Sequence, residues 1–190
     1  TTSSLDLDAA TVLNVTEDHL DRYDDMAHYA SAKARIFSRC RHQVLNREDR
    51  YSVAMKSSGN SVSYFARYAP LGPSHFGLSS VRGESWLAHD QMPLMTVADL
   101  PLAGGHNVAN ALAALALARA IDLPYPPIIE ALRRFRGLPH RVEKVMDIGT
   151  VGFYDDSKGT NVGATVAALN GMKEKVVLIA GGDGKAQDFS

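Results

Sequence analysis

A run of small, β-branched and apolar residues, Ala10–Val15, breaks abruptly into Thr16-Glu17-Asp18. The run predicts a short buried strand. The hydroxyl and the two acids after it suit the start of a helix, where unpaired N–H groups and the positive end of the dipole favour oxygen. Met26, Tyr29, Ala30, Lys33, Ile36 and Phe37 then recur at helical spacing, predicting a helix from Met26 to Cys40, and Gln43–Leu45 predicts a second strand. Strand, helix, strand in that order predicts a parallel pair with its crossover helix laid on the sheet. Ligands of such sheets lie beyond the carboxyl ends of the strands, which is where His19 falls. His19 alone reads more readily as a structural or an exposed group. Lys33 shares a stripe with apolar residues, so it either snorkels to solvent or has a task there. Asp18, Asp21, Asp24 and Asp25 read by themselves as a solvated acidic face.

Further along, Ser61–Ala66, His75–Leu78 and Ser85–Ala88 predict short strands between Gly, Pro and Ser turns, forming a small, mostly antiparallel sheet appended to the parallel one. Val108–Ala120 is rich in helix formers and apolar on most of its surface, so it predicts a buried helix. Asn107 and Asn110 share one face at its amino end, either as a polar cap or as amides that read a polar ring. Pro126 and Pro127 open a helix over Ile128–Phe135. The breaker-rich Gly137-Leu138-Pro139-His140-Arg141 predicts a domain boundary, giving units 1–137 and 138–190. The second unit reads as a hairpin (Glu143–Ile148 and Val151–Tyr154), a polar loop, a helix over Val162–Leu169 and a buried strand at Val176–Ala180. The expected fold is therefore α/β: a mostly parallel sheet with covering helices plus a small antiparallel sheet, followed by the start of a Rossmann-like second domain.

The balance of 20 basic against 21 acidic residues gives no general pull on nucleic acid or an anionic membrane. No apolar run approaches the roughly 18 residues of a membrane span. The single cysteine, Cys40, leaves no internal disulfide and fits a reducing cytosol. The chain begins at Thr1 and ends at Ser190 just past a glycine-rich turn, so a fragment of a longer polypeptide is expected. Asp155–Asn161 joins a strand to a helix start, where backbone N–H groups with Ser157, Lys158 and Thr160 would hold phosphate or carboxylate; Asp156 would suit ribose hydroxyls or a metal. Gly181-Gly182-Asp183-Gly184-Lys185 has the composition of a phosphate loop without its spacing, and a plain turn is the equal reading. No zinc spacing or nucleophile elbow occurs.

Several segments together resemble the Mur ligase family, the ATP-dependent amide-forming enzymes of peptidoglycan precursor synthesis. They are Asn14–Tyr23, Ala32-Lys33, Gly105–Ala114, Gly137–Glu143 and Asp155–Thr165. The last is similar to the loop of the member that adds D-glutamate to UDP-N-acetylmuramoyl-L-alanine, as is Gly181–Lys185 with Asp188-Phe189-Ser190. The resemblance implies ATP and two magnesium ions, with His19 a metal ligand and Lys33 carbamylated to become another. It implies that Asn107 and Asn110 touch the adenine, that Arg141 and Asp156 hold phosphates and ribose, and that Lys158 neutralises phosphate or substrate carboxylate. Thr160 and Lys185 would receive D-glutamate. It further implies an ATP-binding central domain over 1–137, a bacterial cytoplasmic enzyme, and a monomer when intact. The family's phosphate loop, the acidic metal ligand upstream and its UDP-binding domain do not occur in these residues, so activity of this stretch alone is not expected. A folylpolyglutamate-synthase-like ligase and a non-catalytic nucleotide-binding module are the competing readings.

Overall fold

The computed structural model describes residues 4–17, 22–102, 104–172 and 174–182. Strand β1 (Leu7–Val12) leads to helix α1 (Met26–Ala34), β2 (Cys40–Asn46), the short α2 (Arg50–Ala54) and β3 (Ser61–Phe65). Strands β4 (His75–Val81), β5 (Glu84–His89) and β6 (Met92–Thr96) follow, then helices α3 (Gly105–Ala120) and α4 (Tyr125–Arg134). Last come β7 (Glu143–Ile148), β8 (Val151–Asp155) and α5 (Val162–Gly171).

Strands β1 to β6 form one sheet in chain order. Pairing is parallel from β1 through β4 and antiparallel from β4 to β6. The antiparallel strands thus extend the parallel sheet, and Ser61–Phe65, expected among them, belongs to the parallel half. Strand β6 went unforeseen because Pro93 interrupts its pattern; β6 is an edge strand, where a missing N–H is tolerated. A separate two-stranded antiparallel sheet pairs β7 with β8.

Period-two alternation gives the sheet two faces. Val44, Phe65, Phe76 and Leu87 pack under Leu112 and Leu115 of α3 and Ile128 of α4. Leu45, Ala10 and Val12 face the other way, against Tyr29, Ala30 and Phe37. Being covered on both faces, β2 ends in four buried residues, Gln43–Asn46. Its polar members are satisfied: Gln43 donates to Met55 O at 3.1 Å and accepts from Ser57 N at 2.9 Å.

Four local expectations are corrected. The first strand spans Leu7–Val12 rather than Ala10–Val15, since its parallel register runs from Leu7 opposite Cys40 to Val12 opposite Leu45. The following helix is capped by Asp25, whose carboxylate accepts from His28 N at 2.7 Å, so Thr16 does not cap it. That helix ends at Ala34 and tightens into a 3₁₀ turn, Arg35–Phe37, so it does not reach Cys40. Val176–Ala180 forms no strand among the described residues: no neighbouring strand pairs with it, and Val177 and Ile179 are 91% and 94% exposed.

Candidate functional site

The carboxyl ends of β1, β2 and β3 share one edge of the sheet, and the segment after β2 ties that edge together. The Asn46 side chain donates to Leu13 O at 2.8 Å, and Asp49 accepts from Val15 N at 2.8 Å, fixing the loop after β1. Two of the expected site residues, His19 and Lys185, lie outside the described residues. Lys33 sits in the last turn of α1, half-buried, with its ammonium 4.6 Å above the Tyr29 ring. Its apolar neighbours thus include a π face that a cation can use.

Helix α3 starts at the same edge. Gly104, at φ 101, precedes it with no side-chain cap, and Asn107 and Val108 N–H groups return to Gly104 O at 3.0 and 3.2 Å. Gly104 thus occupies the cap position; Asn107 is half-buried and Asn110 exposed. Between them and the sheet edge lies Arg67, just past β3, locked onto Glu48: Nη2 donates to Oε1 at 2.8 Å and the backbone N to Oε2 at 2.7 Å. Its Nη1 lies 2.5 Å from where a Cβ on Gly105 would stand.

The third component is the loop after β8. Asp156 accepts from Val142 N at 3.1 Å through its carboxylate and from Gly159 N at 2.8 Å through its carbonyl. Lys158 N donates to His140 O at 3.1 Å, and Asn161 caps α5 by accepting from Ala164 N at 2.8 Å. The Arg141, Lys158 and Thr160 side chains are exposed beside this frame. His140, at φ 64, approaches Asp155 through Nδ1 at 2.7 Å, a bond that holds the Asp155 carboxyl below its ordinary range. His140, Glu143 and Asp155 bring three potential metal-ligating atoms within 4.8 Å of one another. All are solvent-accessible, and exposed groups of this kind commonly hold nothing.

These components meet. A Cβ on Gly163, at the start of α5, would stand 3.4 Å from Thr16, and one on Gly171, at its end, 3.3 Å from the His106 ring. Burial pushes His106 below its ordinary value, opposed by Asp156, with Arg67 adding to the depression. Helix α5, which follows the Asp156 loop, thus touches the loop after β1 at its start and the first turn of α3 at its end, and Lys33 lies against Tyr29. Sequence reasoning missed Glu48, Arg67 and His106. Glu48 and Arg67 sit in separate loops with no shared motif, and their pairing exists only in three dimensions. Cavities of about 470 and 380 Å³ share Pro73 and His89 and include none of the candidate residues.

Residues 1–118 match the model of the Mur ligase middle domain. The chain is 56% identical, along its whole length, to the UDP-N-acetylmuramoylalanine–D-glutamate ligase of Nitrosomonas europaea, and 58% identical to that of Methylobacillus flagellatus. It spans only 41% and 42% of those two proteins. Among solved structures, MurF from Acinetobacter baumannii is similar in fold, with a TM-score of 0.71 at 20% identity over 87% of this chain and 37% of that one. A pseudomurein peptide ligase type C from Methanothermus fervidus gives a TM-score of 0.65 at 19% identity, over 90% of this chain and 42% of its own. No described helix is long and apolar enough to cross a membrane. With a sheet whose carboxyl edge gathers the two loops and the amide-bearing helix start, and with relatives of this identity, the chain belongs to the Mur ligase family.

Proposed function

We propose that the intact protein joins D-glutamate to UDP-N-acetylmuramoyl-L-alanine at the expense of ATP, in the bacterial cytoplasm. The observation that carries this reading is that α5, which follows the Asp156 loop, lies against both the α3 start and the loop after β1, with Asp156 close enough to act on the His106 charge. The activity named for relatives more than half identical along the whole chain supports it. ATP phosphorylates the acceptor carboxylate, the amine of D-glutamate attacks the acyl phosphate, and phosphate leaves. The protein's part is to orient the reactants and offset crowded negative charge.

In this reading Asn107 and Asn110 present amides to the adenine, and Asp156 accepts from ribose hydroxyls. Arg141 and Lys158 meet phosphate or carboxylate oxygens, and Thr160 and Lys185 receive D-glutamate. Residues 1–137 and 138–190 act as two units; the left-handed Gly137, His140 and Val142 crowd the joint and support a hinge there. Magnesium would be held by His19 and Lys33. An ammonium over a tyrosine ring offers no oxygen, so Lys33 fits a hard cation only as a carbamate. When bound, the metal would offset phosphate charge.

The test is phosphate release by the full-length protein with ATP, magnesium and UDP-N-acetylmuramoyl-L-alanine across a panel of amino acids. Release with D-glutamate alone is expected. Release with another amino acid would move the substrate, and ATP binding without release would leave a non-catalytic nucleotide module.

A further inference from the structure

We propose that Glu48 and Arg67 form a positioning pair that holds the first turn of α3 in the geometry that receives the nucleotide. This rests on the reading of Asn107 and Asn110 as nucleotide contacts.

The pair is built for rigidity. Glu48 accepts from Arg67 four times: from the backbone N, from Nη2, and from Nε at 3.1 and 3.2 Å to its two oxygens. Its side chain is only 13% exposed. Burial would raise the Glu48 carboxyl, yet hydrogen bonds from Arg67 outweigh it and hold the group below its ordinary range. Forked, charge-assisted bonding of this kind fixes direction as well as distance. The remaining arm, Nη1, makes no bond to Glu48 and lies across Gly105, the first residue of α3. A flexible arginine tip would ordinarily swing from an added methyl group; here the fork pins it. Gly105 is therefore seated against a fixed guanidinium, and Asn107 is two residues further on.

Glu48 is itself anchored. Its backbone N donates to the Asn46 side chain at 2.8 Å, and Asn46 and Asp49 hold the loop after β1. One short segment after β2 thus braces both the loop leading to His19 and, through Arg67, the turn bearing Asn107.

The experiment uses full-length protein and steady-state kinetics with ATP varied. Arg67→Ala is expected to raise the KM for ATP about tenfold, close to 1.4 kcal/mol, with kcat at saturating ATP and the KM for the other substrates little changed. Glu48→Gln should do the same more weakly. Arg67→Lys should fail to rescue, because an ammonium cannot hold two oxygens in a fixed fork. Gly105→Ala should raise the KM for ATP in the parent but add little once Arg67 is alanine. An Arg67→Ala enzyme with unchanged KM for ATP, or one losing kcat only in step with its folded fraction, would overturn the proposal. A fluorescent ATP analogue separates the two levels. If Asn107→Ala leaves its binding intact, the nucleotide reading fails and the pair's task goes with it. If Asn107→Ala weakens binding and Arg67→Ala does not, the pairing inference alone fails.

Discussion

Strands β2 and β7 are similar in length, yet β2 ends in four buried residues and every residue of β7 is exposed. The difference runs through the whole chain. The six-stranded sheet lies between two buried clusters, whereas α5 and the β7–β8 hairpin contain no buried residue among those described. A two-stranded hairpin is marginal without a packed face. Among the described residues of this second region, the Asp156 loop is framed by hydrogen bonds to His140 and Val142 and by the Asn161 cap, not by a core. In the first region, the strands and helix that carry the expected site are anchored in packed clusters.

The largest contrast should come from equal truncations in the two regions. Phe65, 1% exposed at the centre of the sheet, should cost about 3–5 kcal/mol on Phe65→Ala. Phe153, 45% exposed in β8, should cost less than about 0.5 kcal/mol on Phe153→Ala. Denaturant titration of both variants of the 190-residue chain measures this directly. Equal losses would mean that the hairpin belongs to a cooperative core after all.

A polar substitution sharpens the same point. Gln43 is fully buried and serves both Ser57 N and Met55 O, so Gln43→Leu strands two backbone groups and should cost about 2 kcal/mol. In the second region Lys144 pairs with Asp147 at 2.8 Å at the surface, and Lys144→Ala should leave the unfolding midpoint unchanged. A smaller, local effect is expected at Asn161. Losing its cap bond should cost α5 about 1 kcal/mol, seen as faster amide exchange confined to that helix. Loss of exchange protection across the sheet as well would tie the two regions together.

The same contrast explains what could be read from residues alone. The alternation of strands and helices was legible because apolar periodicity reports burial, and the first region is buried. Helix α3 declared itself through Val108, Leu112 and Leu115. Boundaries set by capping chemistry were less legible: Asp25 and not Thr16 starts α1, and α2 is too short for a period, resting on Asp49 accepting from Ser52 N. Val176–Ala180 carries a strand's composition, but composition cannot supply a pairing partner. At the site, the Asn107 turn and the Asp156 loop were legible as motifs. Glu48 and Arg67 were not, because an acid and an arginine nineteen residues apart carry no signal until the sheet aligns the loops after β2 and β3.

The smallest expected effect concerns acid, and here the two regions should titrate for different reasons. Burial lowers His42 and His106 in the first region, and His75 likewise, with Arg47 adding to the last. A histidine depressed in the folded state binds fewer protons than in the unfolded chain. Its contribution is full above the ordinary value of about 6.5 and is lost as pH falls through the lower folded values. Asp155, also depressed, contributes above its ordinary carboxylate value and loses that contribution as pH falls through its folded one. Its cause differs, being chiefly the hydrogen bond from His140 in an open setting. Titration by NMR of the parent and of His140→Ala separates the two. Removing the imidazole should move Asp155 back toward an ordinary carboxyl and leave His42 in place, because His42 is depressed by burial and not by that bond. An Asp155 unmoved by His140→Ala would show that its depression has another source and make the second region more like the first.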